Sequence, residues 1–422
     1  MENIINALKK LEIAHYTIRE VKESSAELFF IKKQLDMRRM KDVTKDYVTV
    51  YRDFEAGEMK MRGSSLALIS PGMTDAEIED AVAAAYEAAL SAGNPYYELY
   101  AGETEEIREE ASGFSGKSLS EIAACFSDAI FAADTRTDAF LNSAELFVTE
   151  TEVRFCSSEG FSNGYRKCGV KGEYVVQCKE PQDVEQFFQF EYKDMDTAAL
   201  TEKVKGSLSA VYDRARAAKS PKAGTYDIVL SGTNVAELLL FYLFRSNAGP
   251  IFAGYFDSKP GSALQGEEIK GEKLNMTLVP AAPFSDEGVP MKELPLLKDG
   301  VLQNIHGSVR FCRYMKIEPT GDFRAGKVDN GTVPFEEMKK GCLYPVSFSD
   351  FQMNPITGQF GGEMRLAYYY GEDGVEILTG GSINGSLLEK QGDLTFSLER
   401  YTDASYSGPF AVKINSVAVS GE

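Results

Sequence analysis

The chain has 422 residues, with 45 Lys and Arg against 64 Asp and Glu, so its formal net charge is −19. Its two histidines, His15 and His306, exclude a histidine-rich metal centre, and a Ser-His or Cys-His nucleophile would need one of them. The acidic balance, without a basic stretch that contains interleaved aromatics, argues against nucleic acid as a direct ligand.

Cysteine usage and hydropathy indicate the compartment. The six cysteines form no C-x-x-C pair and suggest no disulfide framework in a chain of this length. The first ten residues contain an early acid and no continuous apolar core, which is not typical of a signal peptide. No apolar run approaches the roughly 20 residues of a membrane helix. We therefore expect a cytoplasmic protein.

The first half predicts helices and antiparallel strands. Apolar spacing predicts a helix around Ile4 to Leu11. Capping boxes predict further helix starts at Thr74 and Ser118, and an amphipathic pattern predicts a helix over 197–218. Strand-like segments are predicted at Ala26–Leu35, Asp46–Phe54, Gly63–Ile69 and, as a meander with turns around Ser157–Gly160 and Ser162–Gly164, over 140–191.

The second half is predicted to be rich in strands. It follows Ser220–Gly224, the best boundary signal in the chain. A strand at Tyr226–Leu230 and an apolar helix at Val235–Phe244 come first, and hairpins follow at Asp299–Gly300 and Gly371–Gly374. Further strands are predicted at 394–401 and 410–419. The fold class is α+β, with an N-terminal region at 1–221, divisible into 1–112 and 113–221, and a β-rich domain at 222–422.

Three motifs could carry chemistry but have ordinary structural explanations. Gly160–Gly164 fits the G-x-S-x-G nucleophile elbow around Ser162, yet strand-like residues follow it where that motif needs a helix. His306 and Cys312 would lie on roughly opposite faces of a helix, which favours a structural histidine. Thr379–Gly385 matches no phosphate-binding fingerprint and is predicted to be a tight turn before a helix.

Two segments combine turn-forming residues with polar groups. Phe284–Pro290 holds the carboxylates Asp286 and Glu287 beside Gly288, and Asn354–Phe360 contains Pro355, Thr357 and Gly358 before an apolar strand. Such loops bring backbone groups close to whatever lies beside them. They indicate either a lined groove or interface, or turn chemistry alone.

These segments resemble the TldD/PmbA family, whose members were once labelled modulators of DNA gyrase. Phe284–Pro290 is similar to the family's F-D-D-E-G-V-P-like motif, and Asn354–Phe360 to its N-P-V-T-G-D-F-like motif. Similarity extends to the strand with Pro221, Gly224 and Tyr226–Leu230, and to the hairpin Asp299–Leu302. Their order and approximate spacing also match over nearly the whole second half.

The resemblance implies a division between two kinds of subunit. A TldD-like chain has a metal site with H-E-x-x-x-H in the helix after that strand, and a later cysteine. Here the helix contains no histidine from Glu237 to Asn247, and Gly380–Gly385 contains no cysteine. This chain therefore resembles the TldE/PmbA kind, which lacks the metal motif, and we expect no cofactor and no metal ligands in it.

The resemblance also implies a function. We expect a subunit that is inactive alone and pairs, as a heterodimer, with a zinc-bearing TldD-like metalloprotease that cleaves unfolded peptides. It would supply dimer interface and peptide channel, and the channel candidates are Asp286, Glu287, Gly288, Asn354, Pro355, Thr357 and Gly358. No catalytic residue is expected. The alternatives are a stand-alone homodimeric peptide-binding protein, and a hydrolase that uses Ser162 or Cys312 with His306.

Overall fold

The structure is a computed structural model that describes residues 1–422. The helices are α1 Glu2–Lys10, α2 Asp75–Ala88, α3 Leu119–Ala133, α4 Thr197–Arg216, α5 Thr233–Arg245, α6 Ala248–Phe252, α7 Val309–Tyr314, α8 Phe335–Met338 and α9 Leu387–Lys390. The strands of the first half are β1 His15–Ile31, β2 Gln34–Ala56, β3 Met59–Ile69, β4 Gly93–Pro95, β5 Arg108–Glu109, β6 Phe140–Ser157, β7 Ser162–Cys178 and β8 Val184–Tyr192.

The strands of the second half are shorter on average. They are β9 Gly224–Ser231, β10 Met276–Val279, β11 Leu294–Lys298, β12 Val301–Leu302, β13 Ala325–Val328, β14 Leu343–Met353, β15 Gln359–Gly371, β16 Gly374–Leu378, β17 Ser382–Ser386, β18 Leu394–Phe396, β19 Arg400–Thr402, β20 Tyr406–Pro409 and β21 Ala411–Ser420. The α+β fold class with antiparallel sheets is confirmed.

One long sheet organises the first half. Its order is β4-β3-β2-β1-β6-β7-β5, with β8 paired to the same β7 strand. Alternation along the strands gives it two different faces. Even-numbered residues of β1, such as Ile18 and Phe30, are buried in the cores that contain α1 to α4. Odd-numbered residues, such as Tyr51 of β2, face the second half of the chain.

Local sequence signals set the helix starts as expected. Thr74 and Ser118 each accept a backbone N–H from the glutamate three residues later, Glu77 and Glu121, whose carboxylates bind back to the capping residue's N–H. Both capping boxes are thereby confirmed. Since each box satisfies N–H groups that would otherwise lack partners, it stabilises the helix start by about 1 kcal/mol.

The second half contains two sheets. The first has the order β12-β11-β10-β13-β20-β19. The second has the order β14-β9-β21-β17-β15, and an additional pairing of β14 with β15 closes these five strands into a barrel. The edge strands β16 and β18 extend it. One large apolar core joins both sheets to the inner face of α5.

Three predictions of local structure were wrong. The segment 26–35 is not one strand, because β1 ends at Ile31 and a tight turn with Lys32 at φ 54° leads into β2. Ser162–Gly164 is not a turn but the start of β7. An added Cβ at Gly164 would lie 2.4 Å from the carbonyl oxygen of Val153, so this glycine allows close strand packing.

The third error concerns Thr379–Gly385. Gly380 and Gly381 do form a turn, with φ of 80° and 69°, but a barrel strand, β17, separates that turn from the short helix α9. Gly385 lies in this strand, where an added Cβ would be 2.4 Å from the Phe360 ring. The glycines of this segment therefore serve both a turn and close packing inside the barrel.

The division into regions 1–221 and 222–422 remains a prediction. Side chains from both regions meet in one small buried cluster of Tyr51, Tyr97, Leu99, Val289 and Val309. A second contact joins the Tyr368 hydroxyl to the Asp213 carboxylate of α4 at 2.6 Å. None of the helices is both long and apolar enough to span a membrane.

Candidate functional site

The segment Phe284–Pro290 forms a compact loop whose ends pair with each other. The hydroxyl of Ser285 accepts the backbone N–H groups of Glu287 and Val289, both at 3.2 Å, and Gly288 takes a φ of 80°. Because the loop satisfies its own backbone groups, it can present its side chains in fixed directions.

The two carboxylates of this loop have opposite environments. The Asp286 side chain is 77% exposed and forms an ion pair with Arg19 of β1 at 3.3 Å. The Glu287 side chain points inward and accepts the N–H of Val309, the first residue of α7, at 2.8 Å. Burial raises the pKa of Glu287 to about 7, although the bond from Val309 acts in the opposite direction.

Gly288 locks this loop against the first half of the chain. Its carbonyl oxygen accepts a bond from the Asn163 side chain at 3.0 Å. An added Cβ would lie 2.5 Å from the Phe155 ring and 2.9 Å from the Phe161 ring. The predicted channel candidates Asp286, Glu287 and Gly288 thus lie at a contact between the two regions, and a role in a peptide channel remains a prediction.

The segment Asn354–Phe360 is a local turn between β14 and β15. The Asn354 side-chain oxygen accepts the N–H groups of Ile356 and Thr357, each at 3.0 Å, and Gly358 has a φ of 76°. Leu387, at the start of α9, donates its N–H to the Gly358 carbonyl at 2.7 Å. Asn354 and Thr357 are exposed, and no hydrogen bond connects this turn to the 284–290 loop.

A groove runs along α5. Its volume is about 200 Å³, and it is lined by Thr233, Ala236, Glu237, Leu239, Leu240, Leu243, Met276, Arg324, Gly326, Asp403, Ser405 and Tyr406. The inner face of α5 is buried in the core, while Leu240 on the groove side is 44% exposed. The groove therefore offers an apolar floor to solvent.

Three charged side chains, Glu237, Asp403 and Arg324, lie at the rim of this apolar floor. Burial raises the pKa of Glu237, which a backbone hydrogen bond from Met353 partly offsets. The Asp403 carboxylate is held by the N–H groups of Ser405 and Tyr406, both at 2.8 Å. Arg324 is exposed. A groove with an apolar floor and both charge signs at its rim fits an extended peptide better than a small apolar ligand.

Sequence reasoning did not nominate Glu237, Arg324 or Asp403. They come from a helix, a segment before β13 and a loop before β20, so no spacing in the sequence connects them. The one available signal was the polar Glu237 at the start of an otherwise apolar helix.

His306 is a structural histidine. Its ring is fully buried, with Nε2 3.0 Å from the Leu243 carbonyl oxygen and Nδ1 3.4 Å from the Phe323 nitrogen. Burial lowers its pKa, so the ring is neutral, donating to Leu243 and accepting from Phe323. Both nitrogens are occupied by backbone groups, which leaves neither to activate Ser162 or Cys312.

The thiol of Cys312 is equally unsuited to nucleophilic attack. It is buried, and burial raises its pKa to about 11, whereas a reactive cysteine needs a lowered pKa. His306 precedes α7, so the pair does not share a helix as the spacing argument assumed.

The groove side of α5 also lacks metal-ligand chemistry. Zinc requires imidazole, thiolate or carboxylate ligands in a converging set. On this side the helix presents Thr233, Ala236, Glu237, Leu240 and Leu243, of which Glu237 alone has such a group. Across the whole chain, no group of three or more His, Cys, Asp or Glu side chains is placed to hold a metal ion.

Comparison with known proteins identifies the family. Residues 223–421 match the family model described as the PmbA/TldA metallopeptidase C-terminal domain. These residues, slightly under half of the chain, form a domain of the TldD/PmbA family. It is accordingly related to metallopeptidases, and the resemblance drawn from Phe284–Pro290 and Asn354–Phe360 is confirmed at the level of the family. No curated protein sequence matches the chain.

Solved structures share the fold of this chain over its full length. A Thermotoga maritima protein, named for a proposed role as a modulator of a DNA gyrase, is 14% identical with a TM-score of 0.77, and 99% of each chain is covered. TldE from Thermococcus kodakarensis is 15% identical with a TM-score of 0.77, covering 99% of this chain and 100% of that chain. A Bacteroides thetaiotaomicron protein, also named for a proposed role with DNA gyrase, is 12% identical with a TM-score of 0.74, covering 100% and 98%.

Proposed function

We propose that this chain is the non-catalytic, TldE/PmbA-like subunit of a cytoplasmic metallopeptidase complex that cleaves unfolded peptides. A TldD-like partner would supply the zinc, and this chain would supply part of the dimer interface and of the peptide channel. The proposal is supported by one observation above all: the groove side of α5 carries a single glutamate, Glu237, among leucines, an alanine and a threonine, and no histidine, where a TldD-like chain is expected to carry H-E-x-x-x-H.

The groove itself supports a role in holding peptide. The exposed Leu240 and the half-buried Leu243 supply an apolar strip. The rim groups Glu237, Arg324 and Asp403 can pair with peptide charges. A helix in this position that carried zinc ligands would take part in catalysis, whereas this helix can only bind and orient the peptide. The likeness to a protein named TldE agrees with this assignment, although at 15% identity it shows the fold alone.

Co-purification and proteolysis test the proposal. The chain is expressed alone and together with an H-E-x-x-x-H chain of the same family from the same genome. An unfolded peptide such as reduced casein is then incubated with each preparation, with and without a chelator. We expect cleavage by the pair that the chelator abolishes, and none by this chain alone. Chelator-insensitive cleavage by the chain alone would refute a non-catalytic role.

A substitution in the groove tests its part in the reaction. Leu240→Lys adds a charge to the apolar floor and should raise the KM for casein peptides, because the side chain is exposed and the fold does not depend on it. Leu90→Lys, at a similarly exposed leucine (39%) in the first half of the chain and outside the groove, is the matched control. Equal KM values for both variants would count against peptide binding in the groove.

A further inference from the structure

A second cleft, of about 430 Å³, lies on the sheet β12-β11-β10-β13-β20-β19 of the second half. It shares only Met276 with the lining of the groove along α5, so it is a separate site. It is here named the basic cleft, and its polar lining consists of Asn275, Thr277, Lys298, Lys327, Asp329 and Arg400.

The register of three strands builds the floor of the basic cleft. Thr277 of β10 pairs with Lys327 of β13, and Lys327 pairs with Ser407 of β20. The neighbours of these residues along the strands, Met276 and Val328, are buried in the apolar core. Because successive side chains of a strand point to opposite faces, those of Thr277 and Lys327 point outward into the cleft.

Neutral groups hold the guanidinium of Arg400 at one side of this floor. Its Nε and Nη2 donate to the Ser407 hydroxyl at 3.2 and 3.0 Å, and its Nη1 donates to the Asn330 side-chain oxygen at 3.1 Å. These three bonds fix the guanidinium without neutralising its charge. An arginine has five N–H donors, so two remain for a ligand.

The other polar groups of the basic cleft also offer donors. The Asn275 side-chain oxygen accepts the Asp299 N–H at 2.8 Å, which leaves the amide NH₂ group for a ligand. The Lys298 side chain is exposed. Lys327 pairs with Glu293 at 2.6 Å, but both side chains are about half exposed, so this ion pair is weak and the ammonium keeps two further N–H groups.

The charge of the basic cleft is opposite to that of the chain. Three cations in its lining, Lys298, Lys327 and Arg400, face one carboxylate, Asp329, which gives a net charge of 3 − 1 = +2. Over the whole chain, acidic side chains outnumber basic ones by 64 to 45. The cleft is therefore rich in donors and positive charge within a chain that is rich in carboxylates.

We propose that the basic cleft is a binding site for a small anion that carries phosphate or carboxylate groups. Both groups accept paired hydrogen bonds from a guanidinium whose orientation is fixed, and lysine ammonium groups add charge-assisted bonds to the same oxygens. The volume of the cleft lies in the range of about 300–1,000 Å³ that is typical of small-molecule sites. This inference does not depend on the proposed peptidase role.

Isothermal titration calorimetry tests the site with two probes, pyrophosphate and citrate, at constant ionic strength in a buffer that contains neither. We expect saturable binding of one anion per chain with a Kd below about 1 mM. Tighter binding of pyrophosphate would identify the ligand as a phosphate compound, and tighter binding of citrate as a carboxylate compound. If neither probe binds saturably up to about 10 mM, the proposal is wrong.

Three substitutions locate the binding. Lys298→Gln removes an exposed charge and should raise the Kd about 3- to 10-fold, and Arg400→Gln should raise it more than about 10-fold. Lys292→Gln, at an exposed lysine outside the cleft, removes the same charge and should leave the Kd unchanged. Binding that Lys298→Gln does not weaken, or that Lys292→Gln weakens equally, would overturn the proposal, because the anion would then respond to net charge or bind elsewhere.

Discussion

The two loops that carry the family resemblance have similar composition but different structural roles. Phe284–Pro290 is locked between the two regions of the chain through Gly288. Asn354–Phe360 contacts only the second half, where Leu387 donates to the Gly358 carbonyl, and its Asn354 and Thr357 side chains stay exposed. Both are glycine-containing turns with polar residues. The difference teaches that the neighbours of a loop, and not its turn chemistry, decide whether its residues are constrained by packing or available for binding.

The largest expected effect is at Gly288. Gly288→Ala places a methyl group against the Phe155 and Phe161 rings at a φ of 80°, and should destabilise the fold by about 2–4 kcal/mol. Gly160→Ala is the matched control, because Gly160 has a φ of 88° with nothing within 4 Å. The Gly160→Ala variant should lose only about 1 kcal/mol of unfolding free energy, which is the cost of placing an alanine at a positive φ. Urea denaturation measures both, and equal losses would mean that the loop is not locked.

The second effect is a dependence of folding stability on pH, which is caused by Glu287. Its pKa is about 7 in the folded chain against 4.5 in the reference state, so folding favours the protonated form. The associated stability is fully present below pH 4.5 and is lost as the pH rises to about 7. The loss reaches about 3 kcal/mol, since one pKa unit is worth 1.36 kcal/mol.

Glu287→Gln should remove this dependence while keeping an acceptor for the Val309 N–H. Urea denaturation of the wild type and the variant at pH 5 and pH 8 measures the difference. Asp286→Asn, one residue away and exposed, should reduce the wild-type slope only slightly, because the Asp286 charge is the smallest of the causes that raise the Glu287 pKa. A wild-type slope that persists in Glu287→Gln would place its origin elsewhere.

The third effect concerns the turn beside α5. Asn354→Ala removes the acceptor of two backbone N–H groups and should destabilise the fold by about 1 kcal/mol, a small value because water can replace the lost bonds at an exposed turn. Asn354→Asp keeps the acceptor oxygen and should retain most of the stability. A loss as large as that of Gly288→Ala would show that this turn is also held by tertiary contacts.

Sequence reasoning was most successful where the causes are local. The capping boxes at Thr74 and Ser118, the hairpin at Asp299–Gly300 and the apolar helix α5 depend on residues within a few positions of each other, and all are present. The turn at Lys32 was missed because a two-residue hairpin turn usually contains Asn or Gly, whereas here the turn residues are lysines.

The site was less predictable, because tertiary contacts define it. The sequence shows that Gly288 is a glycine in a turn, but not that the Phe155 and Phe161 rings lie against it. It shows two adjacent carboxylates, but not that Asp286 is exposed while Glu287 is half-buried and bonded to the Val309 N–H. The groove along α5 joins Glu237, Arg324 and Asp403 from distant parts of the chain, which no single-sequence pattern can bring together.

The smallest expected effect on stability separates packing from binding within the 284–290 loop. Asp286→Asn breaks an ion pair with Arg19 in which the carboxylate is 77% exposed, so the free energy of unfolding should change by less than about 0.5 kcal/mol. If Asp286 lines the peptide channel, the same variant should slow casein cleavage by the two-subunit complex about 3- to 10-fold, which corresponds to about 0.7–1.4 kcal/mol. Denaturation and cleavage assays on one preparation give both numbers. An unchanged cleavage rate would leave this loop with a structural role only, because its other two candidates, Glu287 and Gly288, are already committed to contacts inside the chain.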